Sequence, residues 1–205
     1  MRINKSLENF QTLLLYFLPL TLITGSFLSD LSVSIIGLIF LYLTISQKEF
    51  KYYKLLPAII FWFWCLYLII ISSFSQNPFL SFESSLFYFR FGLFALAICY
   101  VIEHNINFKR NFFIILTIVF IVVIFDGFLE FFLGRNLLNF DYDGLRIKGL
   151  FGDNLAIGSY LARLLPIIFA LFYSEFFKTK KMILFLMILL IATDVLIYVS
   201  GERTS

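Results

Sequence analysis

The sequence predicts an all-α polytopic membrane protein, a single transmembrane helical domain over residues 1–205 with about seven spans. Three observations predict it. Hydrophobic residues make up 61% and charged residues 14%, with a mean hydropathy of +0.95, which cannot cover the surface of a water-soluble domain of this size. Seven apolar stretches approach the roughly 20 helical residues needed to cross a hydrocarbon core. Lysines and arginines gather in alternate connections between those stretches, as the bias of short cytoplasmic loops towards them requires.

The first span, residues 10–28, follows Arg2 and Lys5. A cleaved signal peptide is the rival reading, but removing this segment would leave an even number of spans and disturb the charge alternation. The second span, 31–46, is short and tightly joined to the first, so the two form a close hairpin. Lys48, Lys51 and Lys54 precede the third, 55–74. The connection SFSQNPFLSFES has no basic residue and leads to the fourth, 84–102, which contains Arg90. Lys109 and Arg110 precede the fifth, 111–133, which carries Asp126 and Glu130. The sixth, 155–173, contains Arg163 and follows a loop with Arg146, Lys148, Gly149 and Gly152, where Asp153 or Asn154 supplies a helix cap. Lys178, Lys180 and Lys181 lead into the seventh, 182–199, with Asp194 inside it and Arg203 beyond. The alternation puts the N-terminus in the cytoplasm and leaves Arg135, Arg146, Lys148 and Arg203 on the opposite side, against the topological bias.

Charges inside spans are costly and normally face a protein interior or a wet cavity. In this topology Arg90, Asp126, Glu130, Arg163 and Asp194 all fall in the outer half of the membrane. Arg90 and Arg163 lie roughly 9 and 12 Å along their helices at about 1.5 Å per residue, with side chains leaning outward. Together with Arg146 and Arg203 they are expected to line one outward-open cavity, with Asp126, Glu130 and Asp194 as counter-charges. Snorkelling arginines and structural ion pairs are the plainer alternative for any one of them. A planar, permanently charged guanidinium suits a diphosphate, and the helix start near Leu155 adds N–H groups and the positive end of a dipole.

Three segments, DGFLEFFLG, RIKGLFGDNLAIGSYLARLLP and the terminal SGERTS, together with the arginine in SLFYFRFGLFALAICYVI, resemble the O-antigen ligase and O-antigen polymerase superfamily of bacterial envelope glycosyltransferases. The resemblance covers 84–205. In SGERTS, Glu202 stands where members more often carry serine directly before the arginine. The resemblance implies a GT-C-like membrane glycosyltransferase of the bacterial inner membrane. It would move a glycan from undecaprenyl diphosphate to an acceptor hydroxyl on lipid A core, a growing polysaccharide or a protein. Arg146 and Arg203, then Arg90 and Arg163, are the implied diphosphate-binding residues, with no cofactor and no metal. The family's base is a histidine in a large external loop beyond the equivalent of Ser205. His104 falls in a cytoplasmic connection and reads as a solvated loop residue, so no catalytic residue is assigned and the chain reads as the N-terminal portion of a longer protein.

The remaining observations are exclusions. Cys65 and Cys99 sit in apolar stretches with no CxxC or ligand set. The scattered cations form no nucleic-acid stripe despite a net charge of +3. GxSxG, P-loop, HExxH and internal repeats are absent. Asp141 and Asp143 read as turn residues and Lys148 as an ordinary loop cation. A transporter or flippase fragment with an outward-facing anion cavity is the competing class, and a non-catalytic assembly subunit the third.

Overall fold

A computed structural model describes residues 2–140, 146–152, 156–176 and 180–201. Its regular elements are helices. In chain order they are α1 (Arg2–Thr24), α2 (Ser26–Gln47), a 3-10 turn at Phe50–Lys54, α3 (Leu56–Ser72), α4 (Pro78–Leu86), α5 (Phe89–His104), α6 (Phe108–Leu133), a second 3-10 turn at Gly149–Phe151, α7 (Ile157–Glu175) and α8 (Lys180–Val199).

Five helical stretches are long and apolar enough to cross a membrane: Ser26–Gln47, Pro78–His104, Phe108–Leu133, Ile157–Glu175 and Lys181–Val199. Two expected spans stand apart from them. Glu8, Asn9, Gln11 and Thr12 make the first half of α1 polar, and α3 has 17 residues, about 26 Å at roughly 1.5 Å per residue against a core of about 30 Å. The expected fourth span is interrupted. Pro78 starts α4, and a turn at Phe87 and Tyr88 separates it from α5.

The helices form two compact units, Met1–Leu18 with Phe27–Ile106, and Pro19–Ser26 with Asn107–Ser205. In the first, α1 and α2 run antiparallel: Asn4 donates to Ser46, Gln47 to Glu8, and the buried Gln11 to the Ile36 carbonyl at 3.2 Å. Gly37 lets α5 approach closely, since a Cβ there would lie 3.2 Å from that of Leu93. Phe40, Tyr52 and Tyr100 form an aromatic triangle with centroids 5.7–5.9 Å apart. The Tyr52 hydroxyl donates to Glu103, and burial, reinforced by that carboxylate, holds the phenol above its ordinary range.

In the second unit, Leu116, Phe120 and Val123 of α6 recur at helical spacing and pack with Leu161, Ile168 and Phe172 of α7 and Leu186, Leu189 and Leu196 of α8. Gly127 leaves room for α8, since a Cβ there would meet the Leu196 methyls at 2.9 Å.

Candidate functional site

The three expected arginines among the described residues are divided between the units. Arg90 belongs to the first, in the first turn of α5 immediately after the turn that separates α4 from α5. Its guanidinium donates to Asp30 at 2.9 Å and lies 4.9 Å from the Phe91 ring centre, while its Nε is buried without a hydrogen-bond partner. Asp30 lies outside the expected set of counter-charges because the sequence reads it as the joint between two spans. The structure starts α2 at Ser26, and that puts Asp30 in the first helical turns.

Arg146 and Arg163 belong to the second unit, and both are exposed. Arg163 lies six residues into α7, about 9 Å from its start rather than 12. Arg203 lies outside the described residues, as do Asp141, Asp143, Asp153 and Asn154. Asp194 is exposed on α8.

The organised feature of the second unit is built from α6. Asp126 and Glu130 are four residues apart and so share a face, and their exposures of 0% and 1% make them the most deeply buried acids described. The helix ends at Gly134, whose left-handed φ of 72° lets its amide reach the Glu130 carbonyl at 3.0 Å. From there the chain doubles back. The Leu137 amide donates to Asp126 Oδ1 at 2.7 Å, and the amides of Lys148 and Gly149 donate to Glu130 Oε1 and Oε2 at 3.0 and 2.6 Å.

Asn136 links the two ends of the connection. Its Nδ2 donates to the Gly149 carbonyl at 2.7 Å, and its Oδ1 accepts the amides of Leu138 and Phe140 at 3.0 and 2.9 Å. Apolar anchors complete the hold. Ile147 and Phe151 are buried, Phe151 meets the Tyr160 ring edge-on at 5.2 Å, and the Tyr160 hydroxyl donates to the Pro19 carbonyl at 2.9 Å. Gly149 has φ of +57°, and a Cβ there would lie 2.9 Å from Ile157 Cδ1 and 3.3 Å from Asp126 Oδ2, so backbone conformation and space both favour glycine.

This arrangement gives Glu130 main-chain partners that the counter-charge expectation does not include. A carboxylate buried in an apolar setting requires strong donors, and main-chain N–H groups supply them here as well as a guanidinium would. Glu130 commits both oxygens to the loop backbone. Asp126 commits one, leaving Oδ2 buried with no hydrogen-bond partner among the described residues. The acids therefore position the segment that carries Arg146 and Lys148. Asn136 is the residue the sequence reading misses, although an asparagine just after a helix-ending glycine is a turn-forming signal.

His104 is exposed, as expected of a solvated residue, but it lies on a helix and not in a loop. It ends α5, stacks on Tyr100 with centroids 4.1 Å apart, and places Nδ1 3.0 Å from the Tyr100 carbonyl and Nε2 3.7 Å from Glu49. Cys65 and Cys99 are free thiols. Among the described residues no group of three or more His, Cys, Asp and Glu could hold a metal ion. No family model matches the sequence, and neither a curated protein nor a solved structure matches it.

Proposed function

We propose that the chain serves glycan transfer from undecaprenyl diphosphate to an acceptor hydroxyl, on lipid A core, a growing polysaccharide or a protein, at the outer face of the bacterial inner membrane. In this reading α1 and α3 also span, giving about seven spans in a GT-C-like arrangement with a cytoplasmic N-terminus. The observation that carries the proposal is the hold of Glu130 on the amides of Lys148 and Gly149. It fixes the backbone beneath a basic segment at the end of an apolar helix, where a lipid-borne anion would arrive.

The chemistry required is substitution at an anomeric carbon with a diphosphate leaving group. Fixed positive charge stabilises that departure without reorganisation at the moment of reaction. Arg146 is the first contact proposed and Arg203 the second, with Arg163 on the following helix. Arg90, whose guanidinium donates to Asp30, completes the set. A base that takes the acceptor proton is not among the residues assigned here.

Transport of a lipid-linked anion is the second reading. It is favoured by Asp126, whose buried and unpartnered Oδ2 is the kind of intramembrane acid that ion-coupled carriers use. Liposomes holding the product of the full open reading frame, a diphosphate-linked glycan and an acceptor separate the two. Transfer that disappears in Arg146→Ala, with membrane insertion intact, supports the enzyme. Undiminished transfer in that variant removes Arg146 from the site, and movement of the glycan across the bilayer without transfer selects transport.

A further inference from the structure

We infer that the first unit holds a separate binding site, a pocket for a zwitterionic phospholipid head group consisting of a phosphate ester that carries a primary ammonium. The polar start of α1 supplies one wall. Lys5, Glu8, Asn9 and Thr12 follow the spacing that puts residues on one helix face. The last turn of α5 supplies the other, with Tyr100, Val101 and His104, and Asn105 just beyond. These residues enclose about 190 Å³, the room of about six waters at roughly 30 Å³ each. That accommodates a phosphate and a two-carbon amine.

The charges inside fit that ligand. Glu8 Oε1 accepts hydrogen bonds from Gln47 Nε2 at 2.9 Å and from the Tyr100 hydroxyl at 3.0 Å. Both donors are neutral, so the carboxylate is held in place while its charge is left for a cation. Lys5 supplies the opposite sign one helical turn away, and the Asn9 amide adds a donor for phosphate oxygens. Position agrees with charge. Gln47 ends one candidate span and His104 another, and the pocket therefore lies where hydrocarbon gives way to head groups. A choline head group cannot serve equally, because its quaternary nitrogen has no N–H to give Glu8. A phosphoglycerol head group has no cation at all. The site is independent of the glycan proposal and shares no residue with it.

The test uses the full chain in nanodiscs of phosphatidylcholine and phosphatidylglycerol doped with phosphatidylethanolamine, followed by native mass spectrometry of the retained lipids. Phosphatidylethanolamine is expected to be retained about threefold over the other two, the scale of a partly exposed ion pair. Glu8→Gln, which preserves the side-chain shape, and Lys5→Met should each remove the preference. Lys54→Ala, on the first 3-10 turn outside the pocket, should keep it. Equal retention of the three lipids, or a preference unaffected by both pocket substitutions, overturns the inference. Glycerophosphoethanolamine in solution at matched concentration should not displace the bound lipid; displacement overturns the lipid as the source of the head group.

Discussion

Replacing Glu130 by glutamine should unlatch the basic loop while leaving α6 in place. The carboxylate accepts two main-chain amides, from Lys148 at 3.0 Å and Gly149 at 2.6 Å. Glutamine can accept one of them, and its NH2 group then opposes the other donor. A hydrogen bond to a charged group contributes about 1.5–3 kcal/mol, and an unsatisfied buried donor costs about 1–3 kcal/mol. Relief of the carboxylate's own desolvation offsets part of that loss. A net cost of about 2–3 kcal/mol at the loop corresponds to a roughly 30- to 140-fold rise in the undocked population, at about 1.4 kcal/mol per factor of ten. Ile147 reports it, being 1% exposed when the loop is docked. Ile147→Cys, in a background with Cys65→Ala and Cys99→Ser, should react with a maleimide at least about tenfold faster once Glu130→Gln is added. Equal rates in the two backgrounds would refute the role assigned to Glu130.

Asp126→Asn makes the contrasting prediction. The amide oxygen can keep the Leu137 hydrogen bond, and relief of the carboxylate's desolvation offsets the unsatisfied NH2 at the place of Oδ2, so stability in detergent should change by less than about 1 kcal/mol, and a loss as large as that of Glu130→Gln would show that Oδ2 has a partner after all. Gly149→Ala must hold a positive φ and push against Ile157, and should cost about 1–3 kcal/mol by chemical denaturation; a neutral result would mean the loop backbone is not held at +57°. For Arg90 and Asp30, a double-mutant cycle with alanine should give a coupling below about 1 kcal/mol, because the side chains are 31% and 49% exposed. A coupling of several kcal/mol would place the pair in a far drier setting than its exposure indicates.

The helical class is readable from the length of the apolar runs, because lipid admits only helices and closed barrels, and barrel strands are shorter and alternate in polarity. The turn between α4 and α5 is less so. Phe87 and Tyr88 are ordinary apolar residues, and only Pro78, upstream of the expected span, marks an earlier helix start. The Arg90 partner was hidden for a related reason. The sequence reading ended the first span at Leu28 and began the second at Leu31, which stranded Asp30 in a connection, whereas Gly25 with its φ of +126° is where the chain turns.

Asp126 and Glu130 show what a charge-based reading of a membrane sequence leaves out. Such a reading seeks a cation for every intramembrane acid, because side chains are the only donors that differ along the chain. Yet every residue except proline also carries an N–H, and a reversing loop exposes several of them with no helix to receive them. The glycine that ends α6 and the one at position 149 create such a segment, and two acids one turn apart in the helix take up its amides. The burial of these acids thus says more about the loop than about a ligand. What they fix is the backbone of the segment that carries Arg146 and Lys148, a consequence of the main-chain bonds and absent from any inventory of charges.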